Sequence, residues 1–258
     1  PEQVGAKAME ANVSDIAAMG GIPTYGFVSI SLTDKIDVET VEGIYNGMYS
    51  VCDKYGCKII GGDTTHGGVA VINIALLGLV EKRRLCLRSQ AEVGDLIVVT
   101  GDLGKSKAGL ELLLKEINDK KELLQAHLEP KCRINESRKI SKYANAMIDV
   151  SDGLASEVNH ICERSGVGAV VKKDEIPVSD TTKKAASLVR GDPIDYALNG
   201  GEDFELVFTI PEEKFDKIKV DCPLTVVGKI VGEEKGVSLS DKKGDCPLGG
   251  GFDHFKKA

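Results

Sequence analysis

The stretch at residues 148–157, IDVSDGLASE, places two aspartates three residues apart where a strand changes into a helix. The apolar run before it, in AMIDV at 146–150, predicts a short buried strand, and residues 153–164 have the pattern of a helix. Asp152 is placed to cap that helix, since an N-terminal aspartate accepts backbone N–H groups and suits the helix dipole. Asp149 has no such explanation, because a lone carboxylate beside a buried strand is costly to desolvate.

Other acids also lie beside a turn or at the end of a strand. They are Asp15 in ANVSDIAAMG, Asp63 in GGDTT, and Glu202 with Asp203 in GGEDFEL. Each alone has a structural explanation; Asp63, for example, could organise an Asx turn. Carboxylates brought close together would raise one another's pKa values, and a hard divalent cation removes that conflict. Mg²⁺ takes oxygen ligands and shares its shell with phosphates, so the set predicts a site for a nucleotide and Mg²⁺.

The glycines beside these acids support that interpretation, because they let the backbone approach a ligand and offer N–H groups to phosphate. A familiar phosphate loop is not found. The stretch TGDLGKSKAG at 100–109 ends like a Walker motif, but Val99 stands where its first glycine belongs. No complete G-x-G-x-x-G follows a strand either. The stretch is therefore interpreted as a turn that opens a basic helix.

The predicted elements alternate between helix and strand. Helices are predicted over 4–19, 38–55, 105–118, 133–143, 153–164, 181–189 and 212–218. Strands are predicted over 25–32, 57–60, 69–80, 95–101, 146–150, 204–210 and 224–231, with residues 61–68 as a loop. This order indicates an α/β or α+β fold. A break near residues 88–94 divides the chain into an N-terminal domain at 1–90 and a C-terminal domain at 91–258.

Composition excludes several classes of protein. The 258 residues are 42% hydrophobic and carry a net charge of −7, with basic and acidic residues mixed, so no nucleic-acid partner is indicated. No apolar run approaches the roughly 20 residues of a membrane helix, and the polar start is unlike a signal peptide. Seven cysteines without a C-x-x-C pair favour reduced thiols in the cytoplasm. Four histidines show no H-E-x-x-H spacing, so a histidine metal site is not expected.

Six motifs resemble, in order, those of the thiamine-monophosphate kinases, and the resemblance runs to about residue 255. They are NVSDIAAMGGIP, IIGGDTT, LRSQAEVGDLIVVTGDLGKSKAGL, MIDVSDGLASEV, LNGGEDFELVFTI and GGGFDHF. The wider superfamily resembles aminoimidazole ribonucleotide synthetase and includes selenophosphate synthetase and a hydrogenase-maturation protein. SDIAAMGG together with GGEDFEL is typical of the thiamine branch.

The resemblance implies a cytoplasmic homodimer that transfers the γ-phosphoryl group of ATP to thiamine monophosphate with several Mg²⁺ ions. It implies an α/β N-terminal domain that pairs across the dimer, followed by an α+β domain. By motif match, the implied metal ligands are Asp15, Asp63, Asp149 and Asp152. The implied ATP contacts are Tyr45, Gly62, Arg88 and Ser151. The implied contacts to the thiamine substrate are Glu202 and Phe252.

Two departures from the family pattern affect these expectations. The family usually has Trp where this chain has Phe252, which can still stack on a flat heterocycle but has no N–H donor. Family members also have a further N-terminal segment with a GDDAA-like pair of aspartates, and nothing here matches it. The N-terminal domain is therefore expected to be truncated, with the chain one piece of a longer protein or its missing segment elsewhere.

The implied acceptor is a phosphate monoester, which is ionised near neutral pH and needs no general base. The expected mechanism is direct in-line transfer, in which Mg²⁺ ions and Arg88 offset the repulsion between two anions. Two alternatives stay open. One is another ATP-using enzyme of the superfamily, such as an amidine-forming cyclase or a selenophosphate synthetase. The other is a non-catalytic fragment that binds nucleotide.

Overall fold

Two β-sheets organise the chain in the computed structural model, which describes residues 1–250. The helices are α1 Glu2–Ala18, α2 Val38–Tyr55, α3 Lys105–Leu114, α4 Lys121–Leu128, α5 Ile134–Ile140, α6 Leu154–Ser165, α7 Asp180–Val189, α8 Pro193–Asn199 and α9 Glu212–Phe215. The strands are β1 Ile22–Leu32, β2 Lys58–His66, β3 Val71–Leu79, β4 Leu96–Thr100, β5 Met147–Asp149, β6 Gly168–Lys172, β7 Leu206–Ile210, β8 Leu224–Val231, β9 Val237–Asp241 and β10 Gly244–Pro247.

The N-terminal sheet has the order β2-β1-β3, with β1 parallel to β2 and antiparallel to β3. Because side chains alternate between the two faces of β1, Val28 and Ile30 lie on the same buried face, which α1 and α2 cover. The two helices approach closely: a Cβ on Gly47 would lie 1.9 Å from the carbonyl oxygen of Glu2. The opposite face of the sheet carries exposed apolar side chains, among them Phe27 and Leu77.

The second sheet has the order β10-β9-β6-β8-β4-β7-β5. Val99 and Ile148 face a core that includes Val158 of α6, whereas their neighbours Val98 and Met147 face a core on the other side of the sheet. Because both faces are covered, the central strands are apolar without alternation. Helix α1 packs against α2 and β3 and also reaches β5 and α5, so it connects the two sheets.

Each predicted helix and strand overlaps an observed element of the same type, and one predicted loop is instead a strand. Residues 61–66 were expected in a loop but form most of β2, paired in parallel with β1. Glycines suggested a loop, yet a Cβ on Gly62 would lie 1.8 Å from the carbonyl oxygen of Val28, so close packing of the strands requires glycine. The sequence prediction also omitted α4, α8, β6, β9 and β10. None of the described helices is long and apolar enough to cross a membrane.

Candidate active site

Asp149 is the last residue of β5 and is buried, with 2% of its surface exposed. The hydroxyl of Ser14, on α1, donates a hydrogen bond of 2.6 Å to its Oδ2. Burial raises the pKa of Asp149 to about 7; the Ser14 hydrogen bond opposes that rise, and the charges of Asp15 and Glu157 add to it. Asp149 is thus a buried carboxylate that is costly to desolvate, as its place beside a buried strand predicts.

The turn after β5 is organised by an acid that sequence reasoning missed. Glu157, on α6, accepts hydrogen bonds from the backbone N–H of Asp152 at 3.1 Å and from the hydroxyl of Ser151 at 3.3 Å. The expectation that Asp152 caps α6 is wrong, because Gly153 is the N-cap residue and no side chain caps the helix. Glu157 instead accepts the hydrogen bonds of the turn. Burial raises the pKa of Glu157 to about 7. The side chain of Asp152 lines a neighbouring cavity.

The two acidic motifs of the second domain meet beyond the paired ends of β5 and β7. The backbone N–H of Val150 donates to the carbonyl of Glu205 at 2.7 Å, and that of Glu202 donates to the carbonyl of Ser151 at 2.9 Å. A Cβ on Gly201 would lie 2.1 Å from the same Ser151 oxygen, so the approach requires glycine. The DVSDG turn and the GGEDFE loop consequently form one surface.

That surface borders a cavity of about 390 Å³, here called the loop cavity, between the two acidic loops and helix α3. Ser151, Asp152 and Glu202 line one side of it, and Phe204 adds an apolar ring. His127, at the end of α4, also lines it. A cavity with an aromatic ring and a few convergent polar groups suits a small ligand that contains a heterocycle.

Charges of both signs surround Glu202. Nζ of Lys7, on α1, lies 2.9 Å from Oε2 of Glu202, and Nδ1 of His127 lies 3.5 Å from the same oxygen. Ser106 Oγ is 3.0 Å from Nδ1 of His127. Burial lowers the pKa of His127, the Lys7 and Lys107 charges lower it further, and Glu202 opposes them. The first helix of the chain thus contacts Glu202, a residue of the cavity wall.

Arg88 provides positive charge that acts on two acids, Asp15 on α1 and Glu157 on α6. Burial raises the pKa of Asp15, and the Arg88 charge opposes that rise. The same guanidinium opposes the raised pKa of Glu157. The charges of these groups therefore influence one another: Arg88 opposes the raised pKa values of Asp15 and Glu157, and Asp15 adds to that of Asp149.

The remaining predicted residues stand apart from this group. Asp63 is exposed on β2, and its Oδ1 accepts from the backbone N–H of Thr64 at 3.0 Å. Tyr45 packs beside Tyr49 on α2, and within residues 1–250 no hydrogen bond joins Tyr45, Gly62 or Asp63 to the DVSDG turn. Phe252 lies outside the described residues.

Across residues 1–250, no group of three or more His, Cys, Asp or Glu side chains is spaced to hold a metal ion. The assignment of Asp15, Asp63, Asp149 and Asp152 as metal ligands stays a prediction. Their oxygen donors are nevertheless of the hard type that Mg²⁺ prefers. The hydrogen bond from Ser14 to Asp149 brings the neighbour of Asp15 to Asp149. Mg²⁺ usually keeps several waters and shares substrate phosphates, so a complete protein cage is not required.

Both halves of the chain match family models. Residues 1–80 match AIR synthase related protein, N-terminal domain, and residues 92–240 match AIR synthase related protein, C-terminal domain. The chain therefore belongs to the AIR synthase related proteins, and the expected two-domain fold is confirmed. The hydrogenase maturation protein HypE, solved in complex with ATP, shares this fold at a TM-score of 0.80 with 20% identity. The match covers 95% of this chain and 78% of the HypE chain.

Within that class, the chain belongs to the thiamine-monophosphate kinase family. The Aquifex aeolicus enzyme is 39% identical over 259 residues, which are 99% of this chain and 82% of the relative. The Bacillus subtilis enzyme is 35% identical, again over 99% of this chain and 82% of the relative. The structure of AaThiL complexed with AMPPCP and TMP superposes with a TM-score of 0.90 at 38% identity, covering 99% of this chain and 81% of that one. Membership in this enzyme family confirms the resemblance found in the sequence.

Proposed function

We propose that this protein phosphorylates thiamine monophosphate with ATP to give thiamine diphosphate, by direct in-line transfer assisted by Mg²⁺. One observation carries the proposal: the DVSDG turn and the GGEDFE loop meet at one cavity. This brings Ser151, assigned to ATP, beside Glu202, assigned to the thiamine substrate. Relatives named thiamine-monophosphate kinase and the AaThiL complex with AMPPCP and TMP support the same pair of substrates.

We place the phosphates of the substrates beside three carboxylates: Asp15 on α1, Asp149 at the end of β5 and Asp152 in the turn. We assign them, with Asp63, to Mg²⁺, which when bound neutralises phosphate charge and helps align the reacting groups. Ser14 holds one oxygen of Asp149 by its hydrogen bond, so the orientation of that carboxylate is fixed before a ligand arrives.

The protein's own groups have simple tasks in this mechanism. Arg88 supplies permanent positive charge beside the acids, and a guanidinium can bind phosphate oxygens in a bidentate manner. Tyr45 and Gly62 are assigned to ATP, and Phe252 to the thiamine ring. No general base is needed, because the acceptor is an ionised phosphate monoester. The protein is therefore expected to form no covalent phospho-enzyme.

A phosphoryl-transfer assay tests the proposal. The release of ADP is measured with thiamine monophosphate and, in parallel, with other phosphate monoesters and with selenide as acceptors. We expect turnover with thiamine monophosphate, and we expect Asp149→Asn to reduce it by about 100-fold or more, since even the groups that support a metal ligand are worth about 10–100-fold.

Asp95→Asn is the matched control for Asp149→Asn. Asp95 is also buried, with 3% of its surface exposed, but it bonds to Asn145 away from the turn. This variant should keep near wild-type turnover. Full activity in Asp149→Asn, or a radiolabelled phosphoryl group trapped on the protein, would contradict the mechanism. Turnover with another acceptor alone would contradict the proposed substrate.

We also propose that the protein is a cytoplasmic homodimer and that two copies meet through the open face of the N-terminal sheet. The register places Tyr25 opposite Leu77 and Phe27 opposite Ala75 on this face. Tyr25, Phe27 and Leu77 are 48%, 43% and 55% exposed. A contiguous apolar patch that is this exposed indicates an interaction surface. A second copy of the same face would cover them.

A further inference from the structure

The GGEDFE loop adopts an unusual backbone conformation at the edge of the loop cavity. Glu202 and Phe204 have φ angles of 65° and 51°, in the left-handed region. Residues other than glycine are uncommon there, and a bulky residue such as phenylalanine is an outlier. Such conformations persist only where the surrounding structure enforces them, and they cluster at functional sites. Both residues line the loop cavity, so something must hold this loop in place.

Asp203, between these two residues, is tied to the start of α3. Its Oδ2 accepts from the backbone N–H of Gly104 at 2.6 Å, and its Oδ1 accepts from that of Ser106 at 3.0 Å. These N–H groups belong to the Walker-like stretch, and a helix N-terminus favours negative charge. The carboxylate of Asp203 therefore binds two N–H groups at the start of α3 that have no partner within the helix.

The rest of the loop is fixed to other elements. Arg133 holds Glu205 through two hydrogen bonds of 2.7 and 2.6 Å, and the hydroxyl of Thr100 donates a third at 2.6 Å. The backbone N–H of Phe204 donates to Val150 at 3.0 Å. These contacts attach the loop to β4, β5 and the segment before α5. Within residues 1–250, the side-chain hydrogen bonds that attach the loop directly to the start of α3 are those of Asp203.

The first half of helix α3 forms part of the wall of the loop cavity. Ser106 and Lys107, in its first turn, line that wall, and Ser106 also contacts His127. The position of Glu202 relative to α3 is held by the two bonds of Asp203 together with the contact of Glu202 to His127, which pairs with Ser106. A ligand in the cavity would experience any change in that position.

We propose that Asp203 is a positioning residue: it holds Glu202 and Phe204 against α3 and so sets the shape of the loop cavity for the thiamine part of the substrate. This inference rests on the proposed function. Asp203 adjoins Glu202, which is assigned to the thiamine substrate, whereas Arg88, which is assigned to ATP, does not line the loop cavity. The effect of Asp203 should therefore be larger for thiamine monophosphate than for ATP.

Asp203→Asn tests the role with little change in shape. A carboxamide has one acceptor oxygen and no charge, so one of the two N–H groups loses its partner. We expect the Kd for thiamine monophosphate, measured by calorimetry, to rise about tenfold, which is the effect of one lost hydrogen bond to a charged group. The Kd for AMPPCP should stay within about twofold. Amide exchange at Gly104 or Ser106, followed by NMR, should become faster.

Ile140→Val controls for a general loss of stability, because it removes a buried methyl group from the other core and should leave both Kd values unchanged. If the wild-type chain binds thiamine monophosphate and Asp203→Asn binds it equally well, the positioning role is wrong and the proposed function stands. If both Kd values rise together, the residue serves stability alone and the inference is wrong. If the wild-type chain does not bind thiamine monophosphate, the proposed function fails as well.

Discussion

His127 links the charge of the loop cavity to pH. Its pKa in the folded protein lies below the ordinary value of 6.5, first because of burial and then because of Lys7, with Glu202 opposing and Lys107 adding to the effect. The unfolded chain therefore takes up this proton first as the pH falls. The stabilising contribution is present above the unfolded pKa and is lost as the pH falls through the folded value.

We accordingly predict that His127→Gln reduces the loss of stability between about pH 7 and pH 5. Urea unfolding at several pH values measures this loss, as the change in the free energy of unfolding with pH in the variant and in the wild type. His160→Gln, at an exposed position on α6, is the control and should keep the wild-type profile. An unchanged profile in His127→Gln would mean that this histidine does not contribute to the acid sensitivity.

Single residues of the site differ in how far the sequence can reveal them. Asp149 and Glu202 could be predicted as candidates because each lies in a turn rich in glycine or serine, where a carboxylate needs an explanation. In the sequence, Glu157 looks like an ordinary helical acid. Its role in holding the turn follows only from the hydrogen bond that it accepts from the backbone N–H of Asp152. Lys7 is brought to Glu202 by the packing of α1, which no local pattern encodes.

The pair of helices α1 and α2 shows that packing can outweigh intrinsic helix propensity. Replacing a helical glycine with alanine stabilises an isolated helix by up to about 1 kcal/mol. At Gly47, however, the new Cβ would lie 1.9 Å from the carbonyl oxygen of Glu2, so the helices would have to separate. Overpacking of this kind costs about 1–3 kcal/mol. We therefore predict that Gly47→Ala lowers the free energy of unfolding by about 1–2 kcal/mol.

Gly43→Ala is the matched control, one turn earlier on α2. The nearest atom to its new Cβ would be Cβ of Pro1, at 2.9 Å, so a small movement of the first residue relieves the contact. Its effect on the midpoint of thermal unfolding should be smaller than that of Gly47→Ala. A more stable Gly47→Ala variant would show that the helices can move apart without loss.

Elements were predictable where one periodicity dominates. Residues 38–55 carry a helical apolar stripe, Asp37 caps them and Gly56 ends them in a left-handed conformation, and the predicted bounds agree with α2. Strand β2 was partly mistaken for a loop, because its glycines serve close contact with β1 rather than a turn. Helix α8 has only seven residues, too few to show a period.

At the scale of the whole molecule, α1 makes the site depend on both sheets. Its Ser14 bonds to Asp149 at the end of β5, while its Lys7 pairs with Glu202 beside β7. The same helix packs against α2 over the N-terminal sheet. The order of the motifs along the chain could indicate the family, but this convergence depends on tertiary packing. Movement of the N-terminal sheet would consequently disturb the acids of the second domain.

The last prediction concerns assembly through the open face of the N-terminal sheet. Leu77→Glu places a charge in the middle of that face, where burial against a second copy would be costly. We expect dimerisation, measured by analytical ultracentrifugation over a concentration series, to weaken by about tenfold or more. Leu114→Glu is the control, since Leu114 is 70% exposed on α3 and belongs to the other half of the molecule. A wild-type chain that stays monomeric, or a Leu77→Glu variant that dimerises normally, would contradict this interface. A loss of dimer in Leu77→Glu alone would locate the contact on the open face.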